Sequence, residues 1–386
     1  MRYLLVIIIL LKLIIMSRFI STHTFVLPDS HTYIAPARDL LINGYYIRRG
    51  FPTHRTPGYP IFLFSILMLD PKRFYIATLL FQHLLYILGA YTVTRIARQK
   101  YRNLLFLILL CEPLSFIYPS TFLTECLFAF FLMVFIYLWH RFPSSVVSQL
   151  ILFLSSLIRP VMFFFTIFFV IYQLLKKKIR PAILWTSILG IYLLLVYIHT
   201  GIITISTVGD INLLFYRAAG IIAHETGKDF YTVRDELGFT NKTLFCRRFN
   251  VSCDTSIYIL YKEIGRAGMR YIMHHPREYV LYVMLPGLRR FFLSPGMGDF
   301  VRELNLDTDR KIMRLGFMDI GILGIVIFGY GTMFILSVLI LDIIWIANTI
   351  KNRKVCKTEI MLALIVTYLA VISAGPECYS RFRFPA

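Results

Sequence analysis

The chain has 386 residues, 58% of them hydrophobic and 16% aromatic, with 34 Phe, 24 Tyr and a formal net charge of +20. A composition this apolar excludes a soluble monomer, and the longest apolar runs suit a hydrocarbon core of about 30 Å. The excess charge argues against nucleic acid as a partner. Lys and Arg stand in short clusters between apolar runs, where orientation signals and contacts with membrane lipids put them.

The runs are helix-length and lack the ten-residue alternation of a membrane barrel, so the expected fold class is an all-α polytopic membrane protein. A first span is expected at about residues 3–20, with Lys12 deep inside it and forced to snorkel or face the bundle. No small-x-small cleavage site follows, so this run is read as a retained span rather than a signal peptide. Next comes a polar, turn-rich loop, residues 21–59, and connectors of that length are usually functional.

The apolar segment Pro60 to Leu69 is too short to cross and is expected to be re-entrant or interfacial. Spans are expected at about 74–96, 103–119 and 122–140. Ser144 to Ile158 and Val161 to Leu175 are each short, with Arg159-Pro160 between them. They read as two tilted or shortened spans or one re-entrant pair. A span at 183–198 then leads to the largest polar stretch, 201–317. In it Ile257, Leu260, Ile264, Ala267 and Tyr271 form an apolar helical face, His275-Pro276 ends that helix, and Tyr279 to Phe292 looks interfacial, with Arg289-Arg290 gripping headgroups. Spans at 320–341 and 360–373 complete the chain.

Three regions follow: a membrane-embedded core with its loop, 1–200; a helical region, 201–317; and the C-terminal spans and tail, 318–386. Orientation comes from the basic clusters Arg95, Arg98, Lys100 and Arg102; Arg141; Lys176, Lys177, Lys178 and Arg180; and Lys351, Arg353, Lys354 and Lys357. With all of them in the cytoplasm, the 21–59 loop and the 201–317 region fall together on the non-cytoplasmic side. Cys111, Cys126, Cys356 and Cys378 are scattered, whereas Cys246 and Cys253 share a loop and could be bridged if that loop is exported.

Asp29 follows Pro28 where the first span meets the external surface, and a lone carboxylate there can take a proton from an acceptor. The plainer reading is a helix cap, a frequent job for Asp. The same loop carries Arg38, Arg48, Arg49 and Arg55 against Asp29 and Asp39, which calls for an anionic partner. The guanidinium fork suits phosphate oxygens. Arg48 and Arg49 are assigned to lipid headgroups and Arg55 to a phosphate. Glu112, before Pro113 in an apolar run, needs a partner such as Arg159 or His83. Adjacent His274 and His275 point apart on a helix and do not make a metal site. Asn241-Lys242-Thr243 and Asn250-Val251-Ser252 fit the glycosylation acceptor pattern.

Four features in order carry a family resemblance: Asp29 just after the first span; Arg55-Thr56-Pro57-Gly58-Tyr59-Pro60 at the entry to the next apolar run; Thr124-Glu125 at the mouth of a later one; and the late Arg381-x-Arg383-Phe384-Pro385. Together they resemble the GT-C glycosyltransferases, membrane enzymes that take a sugar from a polyprenyl-phosphate carrier, such as the aminoarabinose transferases of lipid A and the protein O-mannosyltransferases. In that family the arginine pattern precedes further spans, whereas here the sequence stops.

The resemblance implies a GT-C-like helical bundle with external loop helices, acting at the plasma membrane. It implies Asp29 as general base, Arg55 and Arg383 on the donor phosphate, and Glu125, Tyr59 and Glu112 in support. The partners it implies are a polyprenyl-phosphate-linked sugar, an acceptor protein, lipid or glycan, and membrane lipids. It fixes no cofactor and leaves room for a divalent cation. The competing class is a lipid-linked glycan flippase or transporter with an external cationic headgroup gate, for which internal pseudo-symmetry would be the signature; the sequence has none.

Overall fold

The computed structural model describes residues 2–44, 46, 55–143, 145–177, 179–254, 256–294, 313–315, 318–320, 322–352 and 356–375. The described chain is helical apart from one antiparallel hairpin. The membrane core contains α1 (Arg2–Ser21), α2 (His31–Asn43), α3 (Gly58–Leu69), α4 (Phe74–Thr94), α5 (Gln99–Cys111), α6 (Glu125–Arg141), α7 (Val146–Ile158), α8 (Phe163–Leu175) and α9 (Ile179–Thr200). A module of shorter helices follows: α10 (Val208–Asn212), α11 (Ala219–Thr226), α12 (Phe230–Glu236), α13 (Lys242–Phe249), α14 (Ile257–His274), α15 (Pro276–Glu278) and α16 (Leu285–Leu293). The hairpin of β1 (Met313–Leu315) and β2 (Met318–Ile320) is a short addition to a helical architecture, as the expected all-α class has it. It precedes α17 (Ile322–Asn352) and α18 (Lys357–Ser373).

Among the described residues four helices are long and apolar enough to cross a membrane, within α1, α4, α9 and α17. A fifth span is made only if α5 and the turns of Pro113–Ser120 count as one, and that pair is bent by 67°. The bend has a local cause. Pro113 clashes with a helical conformation at the residue before it, and Glu112 is driven to ψ 124°. The 12 residues of α3 and the 13 each of α7 and α8 reach only about 18–20 Å, short of the hydrocarbon thickness, as their apolar runs lead one to expect.

Contacts along the helices give the bundle its sense. Helices α4 and α6 run parallel, with Cys126 Sγ on the Gln82 carbonyl at 3.0 Å and Gly89 so close to Phe130 that a Cβ there would lie 3.3 Å from its Cα. Helix α5 opposes α4 through Tyr86 Oη on the Leu109 carbonyl at 2.8 Å. Phe169 of α8 packs edge-on against Trp139 of α6. Helix α18 starts where α6 ends, His140 Nδ1 lying 2.9 Å from Thr358 Oγ1, and rises until Tyr368 bonds the Val161 carbonyl. One end of the bundle therefore gathers the exit of α1, the start of α4, the loop before α6, the α7–α8 turn and the exit of α18. The basic residues Arg95, Arg141, Lys176 and Lys177 follow the opposite ends of α4, α6 and α8.

The module has its own core around Leu214, Phe215, Ile221, Phe245, Leu260 and Ile264. Helix α14 supplies one wall. Its buried line is Leu260, Ile264, Gly268 and Ile272, with Ala267 and Tyr271 only flanking it. Two glycines shift that face from the expected one: a Cβ on Gly265 would strike Asp210, and one on Gly268 would strike the backbone of Leu213 and Leu214. Cys246 and Cys253 are joined in a disulfide. The module docks on the exit of α18. Arg217 donates to the Ile372 carbonyl at 2.6 Å and Arg290 to the Gly375 carbonyl at 3.1 Å, satisfying acceptors that a helix C-terminus leaves open. Arg290, expected at lipid headgroups, thus also ties the module to the end of α18.

Candidate functional site

Asp29 lies in a 3-10 turn, Pro28–Ser30, whose first residue has its φ set by the pyrrolidine ring. The turn is tied from both sides, by Leu27 N donating to Ser30 Oγ at 2.9 Å and Thr32 Oγ1 donating to the Asp29 carbonyl at 2.6 Å. Ser30 occupies the N-cap position of α2 and makes no side-chain cap hydrogen bond there. The Asp29 carboxylate meets Arg55, with Oδ1 3.2 Å from the guanidinium NH2.

Arg55 is held on several sides. Its Nε donates to Thr32 Oγ1 at 3.1 Å, its guanidinium lies 5.0 Å from the centre of the Tyr33 ring, and its carbonyl accepts from Tyr46 Oη at 2.6 Å. The next residue, Thr56, donates from Oγ1 to the Ile158 carbonyl at 3.2 Å. Gly58 permits that contact, since a Cβ there would come within 2.8 Å of Leu157 and Ile158.

Beneath this rim the site has a polar floor. Tyr33 meets Tyr59 edge to face at 5.3 Å, and Tyr59, wholly buried, donates to Gln82 Oε1 at 2.8 Å. The Gln82 amide donates to the carbonyls of Pro119 at 3.1 Å and Thr121 at 2.8 Å, fixing the loop that delivers Thr124-Glu125 to the start of α6. Glu125 has no exposed surface, and its Oε1 lies 3.4 Å from NH1 of Arg159. Arg159 is the residue between α7 and the Pro160 turn, adjacent to the carbonyl that receives Thr56. The circuit from Asp29 through Arg55, Tyr33, Tyr59, Gln82 and Glu125 to Arg159 thus closes on itself through Thr56.

Asp29, Arg55, Tyr59 and Glu125 are therefore brought together. Glu112 belongs to a neighbouring cluster. Its carboxylate accepts from the Ser115 amide at 2.7 Å, and Lys12, in its field, donates to the carbonyl and Oγ of Ser115, each at 2.7 Å, while lying 4.1 Å from the Phe116 ring centre. Lys12 faces the bundle rather than snorkelling. Of the two partners expected for Glu112, His83 lies on Ser120 at 3.0 Å and Arg159 on Glu125. Arg383, Arg48 and Arg49 lie outside the described residues. His275 pairs with Glu225 at 2.9 Å, and among the described residues no group of three or more His, Cys, Asp or Glu could hold a metal ion.

Sequence reasoning misses Thr32, Gln82, Tyr46 and the role of Arg159. Arg159-Pro160 at the break between two short apolar helices is the one signal that could have marked its residue, because an ionisable group at such a place has to find a partner inside the protein. Comparison with protein-family models, curated proteins and solved structures finds no match for this chain.

Chemically, the rim offers a carboxylate with side-chain exposure of 40% beside a guanidinium with 15%, at the end of an apolar bundle. A proton acceptor and an anion-binding group side by side suit a displacement that deprotonates a nucleophile and expels an anion.

Proposed function

We propose that this chain is an integral membrane glycosyltransferase of GT-C type that moves a sugar from a polyprenyl-phosphate carrier to an acceptor protein, lipid or glycan on the non-cytoplasmic face. The observation that carries the reading is the Asp29–Arg55 pair, 3.2 Å apart and accessible at the site end of the bundle. As the acceptor oxygen bonds to the anomeric carbon, Asp29 takes its proton. The bond from that carbon to the phosphate oxygen breaks on the opposite face, and its electron pair leaves with the carrier phosphate, whose charge Arg55 holds. The configuration at the sugar is inverted.

One carboxylate is enough for this chemistry. A phosphate is a stabilised leaving group and needs cations, whereas the alkoxide expelled in glycoside hydrolysis needs a second, acidic carboxyl. In this reading Arg383 is a second phosphate ligand and Glu125, held by Arg159, positions the floor. The sidedness is supported by the basic residues at the far end of the bundle and by the Cys246–Cys253 disulfide in the module docked at the near end, since disulfides persist in oxidising compartments. Mass analysis of cell-envelope glycans with and without the gene tests the proposal. Loss of one sugar from one acceptor class is expected, and an unchanged glycan profile would contradict it.

A further inference from the structure

The groove between α7 and α9 lies towards the basic end of the bundle, and glycosyl transfer makes no use of it. Leu150 and Phe153 line one wall, Leu184 and Ile188 the other. Leu150 and Leu184 keep 36% and 38% of their surface exposed, so the groove opens outward from the bundle. Apolar walls on a spanning helix need nothing more than lipid tails, but two side chains set into these walls ask for something else. Gln149 Nε2 and Trp185 Nε1 are shut off from the surface and, among the described residues, neither has a hydrogen-bond partner. An N–H donor in apolar surroundings costs free energy until an acceptor reaches it.

A cation stands at the foot of the same groove. Arg180, Leu184 and Ile188 follow one another at spacing four along α9, so Arg180 begins the stripe that forms one wall. Arg180 is exposed, and so are Lys176 and Lys177 in the turn that precedes it. We propose that the groove between α7 and α9 is a site for one anionic glycerophospholipid. An acyl chain lies along the two walls, the ester carbonyls accept from Gln149 and Trp185, and the headgroup phosphate meets Arg180. Basic pockets between spanning helices are where anionic headgroups settle. Each part of the site selects. A polyprenyl phosphate brings a tail and a phosphate but no ester carbonyl, and would leave both donors unsatisfied. A zwitterionic phospholipid brings the carbonyls but offsets its phosphate with a cation of its own. The inference rests on α7, α9 and the turn before α9, and stands apart from the reaction at the other end of the bundle.

The test uses full-length protein purified in detergent and depleted of lipid, with quenching of tryptophan fluorescence by brominated acyl chains as the readout. The chain has three Trp, at positions 139, 185 and 345. The probes are phosphatidylglycerol, its diether analogue and phosphatidylcholine, all brominated, with unlabelled polyprenyl phosphate as competitor. Wild type should show saturable quenching that is tightest for phosphatidylglycerol. The diether should bind about two- to tenfold more weakly, the equivalent of about 0.5–1.5 kcal/mol for a hydrogen bond. Arg180→Gln should cut the preference for phosphatidylglycerol over phosphatidylcholine about fivefold, the ratio given by ~1 kcal/mol for a cation at an anionic surface. Trp185→Phe should lose the saturable quench, and polyprenyl phosphate should compete poorly. Equal affinity for the diester and the diether, or for the two headgroups, overturns the proposal on unaltered protein, where no folding defect can intervene. Undiminished saturable quenching of Trp185→Phe would put the lipid elsewhere, and an unchanged headgroup preference in Arg180→Gln would remove the phosphate from that arginine; either result overturns the site. Displacement by polyprenyl phosphate as effective as by unlabelled phosphatidylglycerol would make the groove a seat for the carrier's tail and would also contradict the proposal.

Discussion

The site contains the same chemical pair twice, in two settings. At the rim, Asp29 and Arg55 keep 40% and 15% of their side chains exposed; at the floor, Glu125 and Arg159 keep 0% and 10%. An exposed pair gains little Coulomb energy and can give up one partner for another. A buried pair has already lost its water, so each charge depends on the other and neither can be replaced cheaply. Exposure, more than residue type, therefore divides the two carboxylates into one that can do chemistry and one that holds the loop before α6 against the α7–α8 turn.

The comparison breaks most visibly at the floor. Glu125→Gln takes the counter-charge from a buried guanidinium and should cost about 3–5 kcal/mol of stability, read as a large drop in unfolding temperature. Adding Arg159→Gln should restore much of it. An unaltered melting curve for Glu125→Gln would mean that the floor is as replaceable as the rim.

At the rim the expected loss is of ligand, not of fold. Arg55→Ala should weaken use of a polyprenyl-phosphate sugar roughly ten- to a hundredfold, the equivalent of about 1.5–3 kcal/mol for a charge-assisted contact, with little change in melting temperature. Arg55→Lys should recover only part, because a point charge lacks the guanidinium fork. Equal activity of the three forms in a reconstituted assay would remove Arg55 from the site.

A third pair sharpens the series at its small end. In the module, Asp210 and Lys262 meet at 3.1 Å with 15% and 31% exposure, and burial raises the Asp210 carboxyl above its usual range despite the opposing pull of Lys262. A carboxyl whose folded value is raised favours the fold below its unfolded value, and that contribution fades as pH rises through the folded value. The stability of wild type relative to Asp210→Asn should therefore decline slightly as pH rises above the unfolded carboxyl's value of about 3.9. A difference that grows with pH would reverse the sign of the burial argument.

Much of this arrangement is legible in the sequence wherever it depends on local length and composition. The shortness of α3 and the break at Arg159-Pro160 follow from segments a few residues long, and the loop shared by Cys246 and Cys253 offers their pairing without deciding it. What escapes is long-range. Nothing near Glu125 says that its partner is 34 positions later, and Arg290 looks like a headgroup ligand until α18 is seen to end beside it. The face of α14 shifts because Gly265 and Gly268 are a contact seam, which apolar periodicity counts as a gap. The 67° bend after α5 sits at Pro113, a breaker that the expected span over 103–119 runs straight through.

The most direct test of the division between rim and floor is turnover by purified Asp29→Asn protein on a polyprenyl-phosphate sugar. Asn keeps the size and one acceptor atom but has no basic carboxylate, and at a helix start Asn and Asp serve about equally well, so the fold has little reason to respond. Transfer should fall by about 10² to 10⁴, the usual worth of general base catalysis, while melting temperature is kept and donor binding is not lost. Near wild-type turnover would contradict the account and leave Asp29 a surface carboxylate that happens to face an arginine.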